Sequence, residues 1–172
     1  MTELHTDSST ATLFNSPHNP FEALHAALAQ ARREQKNILI SVGGDWCVWY
    51  HRLEQFIETH PELQQLRRDH YVTIHLSLSD TNEFHWAFMR RLPEIDAVPH
   101  LFVYNNQGTL LCSQPTDPLE QGESYAYERV RAFLTEWSDA YHHPQEALSI
   151  EALRQRFAQF LGFSQPRLVV AA

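Results

Sequence analysis

At 172 residues the chain has room for one domain with a real core and an appendage, and is short for two independent domains. Thirteen Lys and Arg against 21 Asp and Glu give a formal net charge of -8, which excludes a sequence-independent grip on nucleic acid. The sequence has no apolar run near the roughly 20 residues that cross a bilayer, and only two cysteines, Cys47 and Cys112, too few for a secreted disulfide framework. These features predict a soluble protein of the cytoplasm, or of the periplasm should a signal peptide have been removed.

Residues 1–18 mix Ser, Thr, Asp and His and read as a flexible lead-in. Order is expected from Asn19, which can cap a helix with Pro20 at its first position and Glu22 reaching back in a capping box. Phe21, Leu24, Leu28 and Ala31 then recur on one helical face. Ile38-Leu39-Ile40-Ser41-Val42 is short, rich in β-branched residues and closed by Gly43-Gly44, the pattern of a buried central strand that turns into a helix at Cys47. Pro61 should break or restart that helix, with Thr59 and Glu62 as a second capping pair.

Tyr71 to Leu76 alternates as a strand, and Asn82 to Leu92 carries Phe84, Phe88 and Leu92 at helical spacing up to Pro93. Leu101–Tyr104 and Thr109–Cys112 flank a Gly-bearing turn and predict a hairpin, in which Cys112 falls opposite Leu101 as a small core residue. A proline-interrupted loop leads to a helix marked by Val130, Phe133, Leu134 and Trp137. These elements make residues 19–141 one domain. Residues 142–172 form a helical extension, whose stripe of Ile150, Leu153, Phe157, Phe160 and Leu161 needs a partner surface.

Cys47 is the candidate nucleophile. A thiol at a helix N-terminus meets free backbone N–H groups and the positive end of the helix dipole, which favour the thiolate. Tyr50 stands three residues later, where a redox dithiol would place its second sulfur, so the frame of a Cys-x-x-Cys site survives without the thiol that releases a bound substrate. Cys47 and His51 stand four apart on one helical face, but two ligands are not a metal site, and among eleven histidines such pairs arise by chance.

The order of elements, together with Trp46-Cys47-Val48-Trp49-Tyr50-His51 and Ala97-Val98-Pro99, resembles thioredoxin-like proteins of the bacterial disulfide-isomerase and thiol-reducing type over about residues 20 to 138. Their active segment reads Trp-Cys-x-x-Cys-His, and Ser113 to Gly122 looks like their post-hairpin loop. The resemblance implies an α/β thioredoxin-like fold, a central mixed sheet flanked by helices, here with an extra C-terminal helix. It implies a cis proline at Pro99 beside the nucleophile, with Val98 and Pro99 offering strand-like hydrogen bonds to an extended substrate and Trp46, Trp49 and Tyr50 supplying contact near the sulfur. Where the family carries a buried acid six positions before the nucleophile, this chain has Ser41.

Two functions follow as expectations. One is a monothiol oxidoreductase or disulfide-isomerase-like activity, in which Cys47 forms mixed disulfides with proteins or glutathione and a second thiol from solution releases them. The other is a redox-inactive thioredoxin-fold module that binds a protein partner or acts as a chaperone. Neither calls for a cofactor or a metal, and the sequence leaves monomer and dimer open.

Overall fold

A computed structural model describes residues 19–79 and 82–138. The lead-in at 1–18 and the extension at 142–172, with its proposed helix, lie outside the described residues. The elements are α1 (Pro20–Glu34), β1 (Asn37–Gly43), α2 (Val48–Thr59), α3 (Pro61–His70), β2 (Tyr71–Ser77), α4 (Glu83–Met89), β3 (His100–Tyr104), β4 (Leu110–Pro115), β5 (Glu120–Gln121), β6 (Ser124–Tyr125) and α5 (Tyr127–Glu136). β1 and β2 are parallel, β1 and β3 antiparallel, and β3 and β4 antiparallel, which gives a four-stranded mixed sheet in the order β2-β1-β3-β4. Among the described residues no helix is long and apolar enough to cross a membrane.

Every residue of β1 is buried, because the strand is central and helices cover both faces. Ile38, Ile40 and Val42 point into a core shared with Leu24, Ala27 and Ala31 of α1 and Phe88 of α4. Leu39 points the other way, into a core with Leu53 and Ile57 of α2, Leu63 of α3, and Val130, Phe133 and Leu134 of α5. The period of two along one strand therefore builds both halves of the interior.

Local chemistry sets the helix ends. Asn19 caps α1 by accepting the Phe21 N–H at 3.0 Å, while Glu22 accepts from the Asn19 side-chain amide at 3.3 Å rather than from its backbone as a capping box would have it. Pro61 does restart the chain as α3, but the capping residue is His60. Thr59 donates its hydroxyl back to the Gln55 carbonyl at 2.8 Å, closing α2 instead of opening α3, and Glu62 accepts from the Tyr127 hydroxyl.

Two expectations from periodicity differ. α4 ends at Met89 rather than Leu92, and Phe84 is exposed. The Asn82 side chain accepts the His85 N–H at 3.0 Å, and the phase this sets turns His85 and Phe88 inward. In the hairpin, Tyr104 pairs with Leu110 and an irregularity follows at Val103, so Cys112 lies opposite Val103 and Leu101 faces Gln114. Cys112 is therefore farther from Pro99 than regular pairing predicts. It is only partly buried, against the second core.

Candidate active site

Cys47 is the N-cap of α2, just past the end of β1. Its N–H bonds the Gly44 carbonyl at 2.9 Å and its carbonyl accepts the His51 N–H at 3.2 Å, which fixes the turn that delivers the sulfur. The Val98–Pro99 peptide is cis. The Cys47 thiol donates to the Val98 carbonyl at 3.9 Å, so the start of the helix and the start of β3 meet at the sulfur. Pro99 is buried, and its own carbonyl is taken by the Thr116 N–H at 3.4 Å and hydroxyl at 3.2 Å. Tyr125 closes this corner by donating to the Trp49 carbonyl at 3.2 Å, and its hydroxyl also lies 3.3 Å from that of Thr116.

The aromatic residues divide. Trp46 is 63% exposed and Val48 60%, flanking a cysteine that is itself only 6% exposed. Trp49 instead packs edge-to-face on Tyr125, with ring centroids 5.7 Å apart and the Arg52 guanidinium over its ring. Tyr50, expected to touch substrate, is fully buried and cannot do so. Its ring lies under Gly43, where an added Cβ would come within 2.1 Å of Tyr50 Cδ2, so glycine at that position makes the space the tyrosine fills.

The Tyr50 hydroxyl reaches His75 Nδ1 on β2 at 2.6 Å. Burial raises the Tyr50 pKa far above that of a free tyrosine, so the phenol stays protonated. Beside it lies a cluster that sequence reasoning missed. Ser41 donates its hydroxyl to Glu54 Oε1 at 3.1 Å, and Arg67 pairs with Glu54 Oε2 at 2.6 Å and with Glu58. The sequence has no acid at position 41, yet α2 returns a buried carboxylate to that place from Glu54, which is 2% exposed. A signal was present: Glu54 falls on the same α2 face as Tyr50, Leu53 and Ile57, and Arg67 stands four residues after buried Leu63 on α3. A charge on an apolar face demands a partner.

His51 donates Nε2–H to the Asp45 carbonyl at 2.8 Å. Among the described residues His, Cys, Asp and Glu gather in no group of three that could hold a metal. Cys112 sits apart from the site, and burial with the nearby Glu136 charge pushes its thiol up to about 11.

The chain belongs to the thioredoxin-like family, whose model matches residues 19–106. Among solved structures it is similar to a disulphide isomerase from Xylella fastidiosa Temecula1, at 19% identity and a TM-score of 0.53, with 79% of this chain and 98% of that chain covered. It is also similar to the C-terminal domain of DsbD from Neisseria meningitidis in the reduced form, at 18% identity and a TM-score of 0.50, covering 68% and 96%. No curated protein sequence matches it.

Proposed function

We propose that this protein carries out thiol–disulfide exchange with Cys47 as its lone nucleophile, on mixed disulfides of proteins or glutathione. The observation that carries the reading is the meeting of the Cys47 sulfur, at the head of α2, with the Val98 carbonyl beside cis Pro99. The Cys47 thiolate attacks one sulfur of a substrate disulfide, forms a mixed disulfide and expels the other sulfur as thiolate. Tyr50 offers no second sulfur, so a thiol from solution attacks the substrate's sulfur and returns Cys47 as thiolate. When that thiol belongs to the substrate the result is isomerisation. When it is glutathione, two equivalents are consumed, one substrate disulfide is reduced and one glutathione disulfide forms.

A glutathione-driven assay on a peptide disulfide tests the proposal. The wild-type protein should accelerate reduction and Cys47→Ser should fall to the uncatalysed rate, with Cys112→Ser unaffected. Insulin reduction driven by thioredoxin reductase should stay near background, because the chain lacks a resolving thiol at Tyr50. Equal rates for the wild type and Cys47→Ser would favour the second reading, a redox-inactive module that binds protein through the same face. One observation speaks for that module: the apolar Trp46 and Val48 are exposed while Cys47 is not.

A further inference from the structure

The cluster of Tyr50, His75, Ser41, Glu54 and Arg67 lies directly behind the first turn of α2, and Tyr50 joins the two. It is the third residue of that helix, its ring abuts Gly43 at the end of β1, and its hydroxyl is tied to β2 through His75. One side chain thus ties the turn that carries Cys47 to two strands. We propose that His75 is a positioning residue for Cys47, acting through the Tyr50 hydroxyl, and that protonation of His75 loosens the first turn of α2. The inference rests on the reading of Cys47 as nucleophile and adds a control on its presentation.

In the neutral ring Nδ1 accepts the phenol O–H when the ring proton is on Nε2, and the phenol oxygen can in turn accept from a protonated Nδ1. A second proton turns Nδ1 into a donor. The Glu54 carboxylate, with Oε1 3.8 Å from Nδ1, then competes with the neutral phenol oxygen for that proton and weakens the tie, while the Tyr50 O–H turns to Ser41, with which it already shares a hydrogen bond. Among the described residues the charged groups acting on the ring are Glu54 and Glu58 from α2 and Arg67 from α3, and the uncharged Ser41 is its register partner on β1. Glu54, Glu58 and Arg67 together leave one negative charge unbalanced, and a proton on His75 would balance it.

Burial outweighs the pull of Glu54 and lowers the His75 pKa, so the ring is neutral at pH 7 and the tie to Tyr50 is made. The unfolded chain takes up this proton more readily than the folded one. Stability from the tie is therefore present above the ordinary histidine value of about 6.5 and declines as the pH falls below it.

The test compares wild type, His75→Gln, which keeps an acceptor oxygen and cannot titrate, and His75→Leu, which removes the acceptor. The rate of Cys47 carboxamidomethylation is mapped from about pH 5 to 8 and divided by that of His75→Gln, so that the thiolate fraction cancels. The ratio should be flat above neutrality and rise about two- to tenfold, the equivalent of one hydrogen bond, through the His75 midpoint measured by NMR. His75→Leu should react fast even at pH 8. Glu54→Gln should move the midpoint lower, since Glu54 holds it up. A flat ratio across the NMR midpoint, or a His75→Leu rate equal to wild type at pH 8, would overturn the proposal. If the thiol resists the reagent, exchange of the His51 amide, which bonds the Cys47 carbonyl, reads the same loosening: faster exchange below the midpoint and in His75→Leu supports the coupling, and unchanged exchange in either overturns it. Neither readout uses a disulfide substrate, so failure of the exchange assay and failure of this coupling are separate results.

Discussion

Arg67→Ala should destabilise the protein by about 3–5 kcal/mol in chemical denaturation, the range for removing one partner of a buried ion pair. Arg67 pairs with a Glu54 side chain that is 3% exposed, and its loss strands that carboxylate away from water. The bond to Glu58, which is 48% exposed, contributes little beside it. Removing both buried charges should cost less than removing one, so Glu54→Gln with Arg67→Met should recover part of the loss. A change below about 1 kcal/mol in Arg67→Ala would mean that the pair is not the buried anchor of α2 to α3.

Gly43→Ala should be nearly as damaging. The added Cβ would lie 2.1 Å from Cδ2, 2.3 Å from Cγ and 2.8 Å from Cβ of Tyr50, and Cβ is bound to the helix backbone and cannot swing aside. The clash must be met by moving α2 off β1, at a cost of about 3 kcal/mol, the upper end for overpacking a core. In a Tyr50→Ala background the ring atoms are gone and the added methyl should cost markedly less. Thermal denaturation of the two single variants and the double variant measures that coupling, and strict additivity would show that ring and glycine do not share the space.

What the sequence made legible is what neighbours along the chain decide. The Asn19 cap, the apolar run of β1, the breaking proline at 61 and the placing of Cys47 before α2 are all local, and the family frame could be read because Trp46-Cys47 and Val98-Pro99 keep its spacing. The interior behind the site was not legible, because its members come from β1, α2, α3 and β2 and only the fold brings Ser41, Glu54, Arg67 and His75 together. Tyr50 shows the difference. Its position in the motif suggested a residue facing substrate, whereas the absence of a side chain at Gly43 and an acceptor on β2 draw it inward. Cys112 departs from its expected partner for a similar reason: closure of the turn on Tyr104 and Leu110 and the irregular pairing at Val103 each shift the register by one residue, and turn residues alone specify neither.

If Cys47 is a lone nucleophile, it forms a mixed disulfide that the protein cannot resolve by itself. Incubation with an oxidised peptide disulfide, followed by intact mass and peptide mapping, measures this directly. The expected product is one adduct, on Cys47, that persists until a second thiol is added, with Cys112 left reduced because its thiol is pushed up to about 11. An adduct on Cys112 with Cys47 untouched, or an internal Cys47–Cys112 disulfide that releases the peptide unaided, would contradict it.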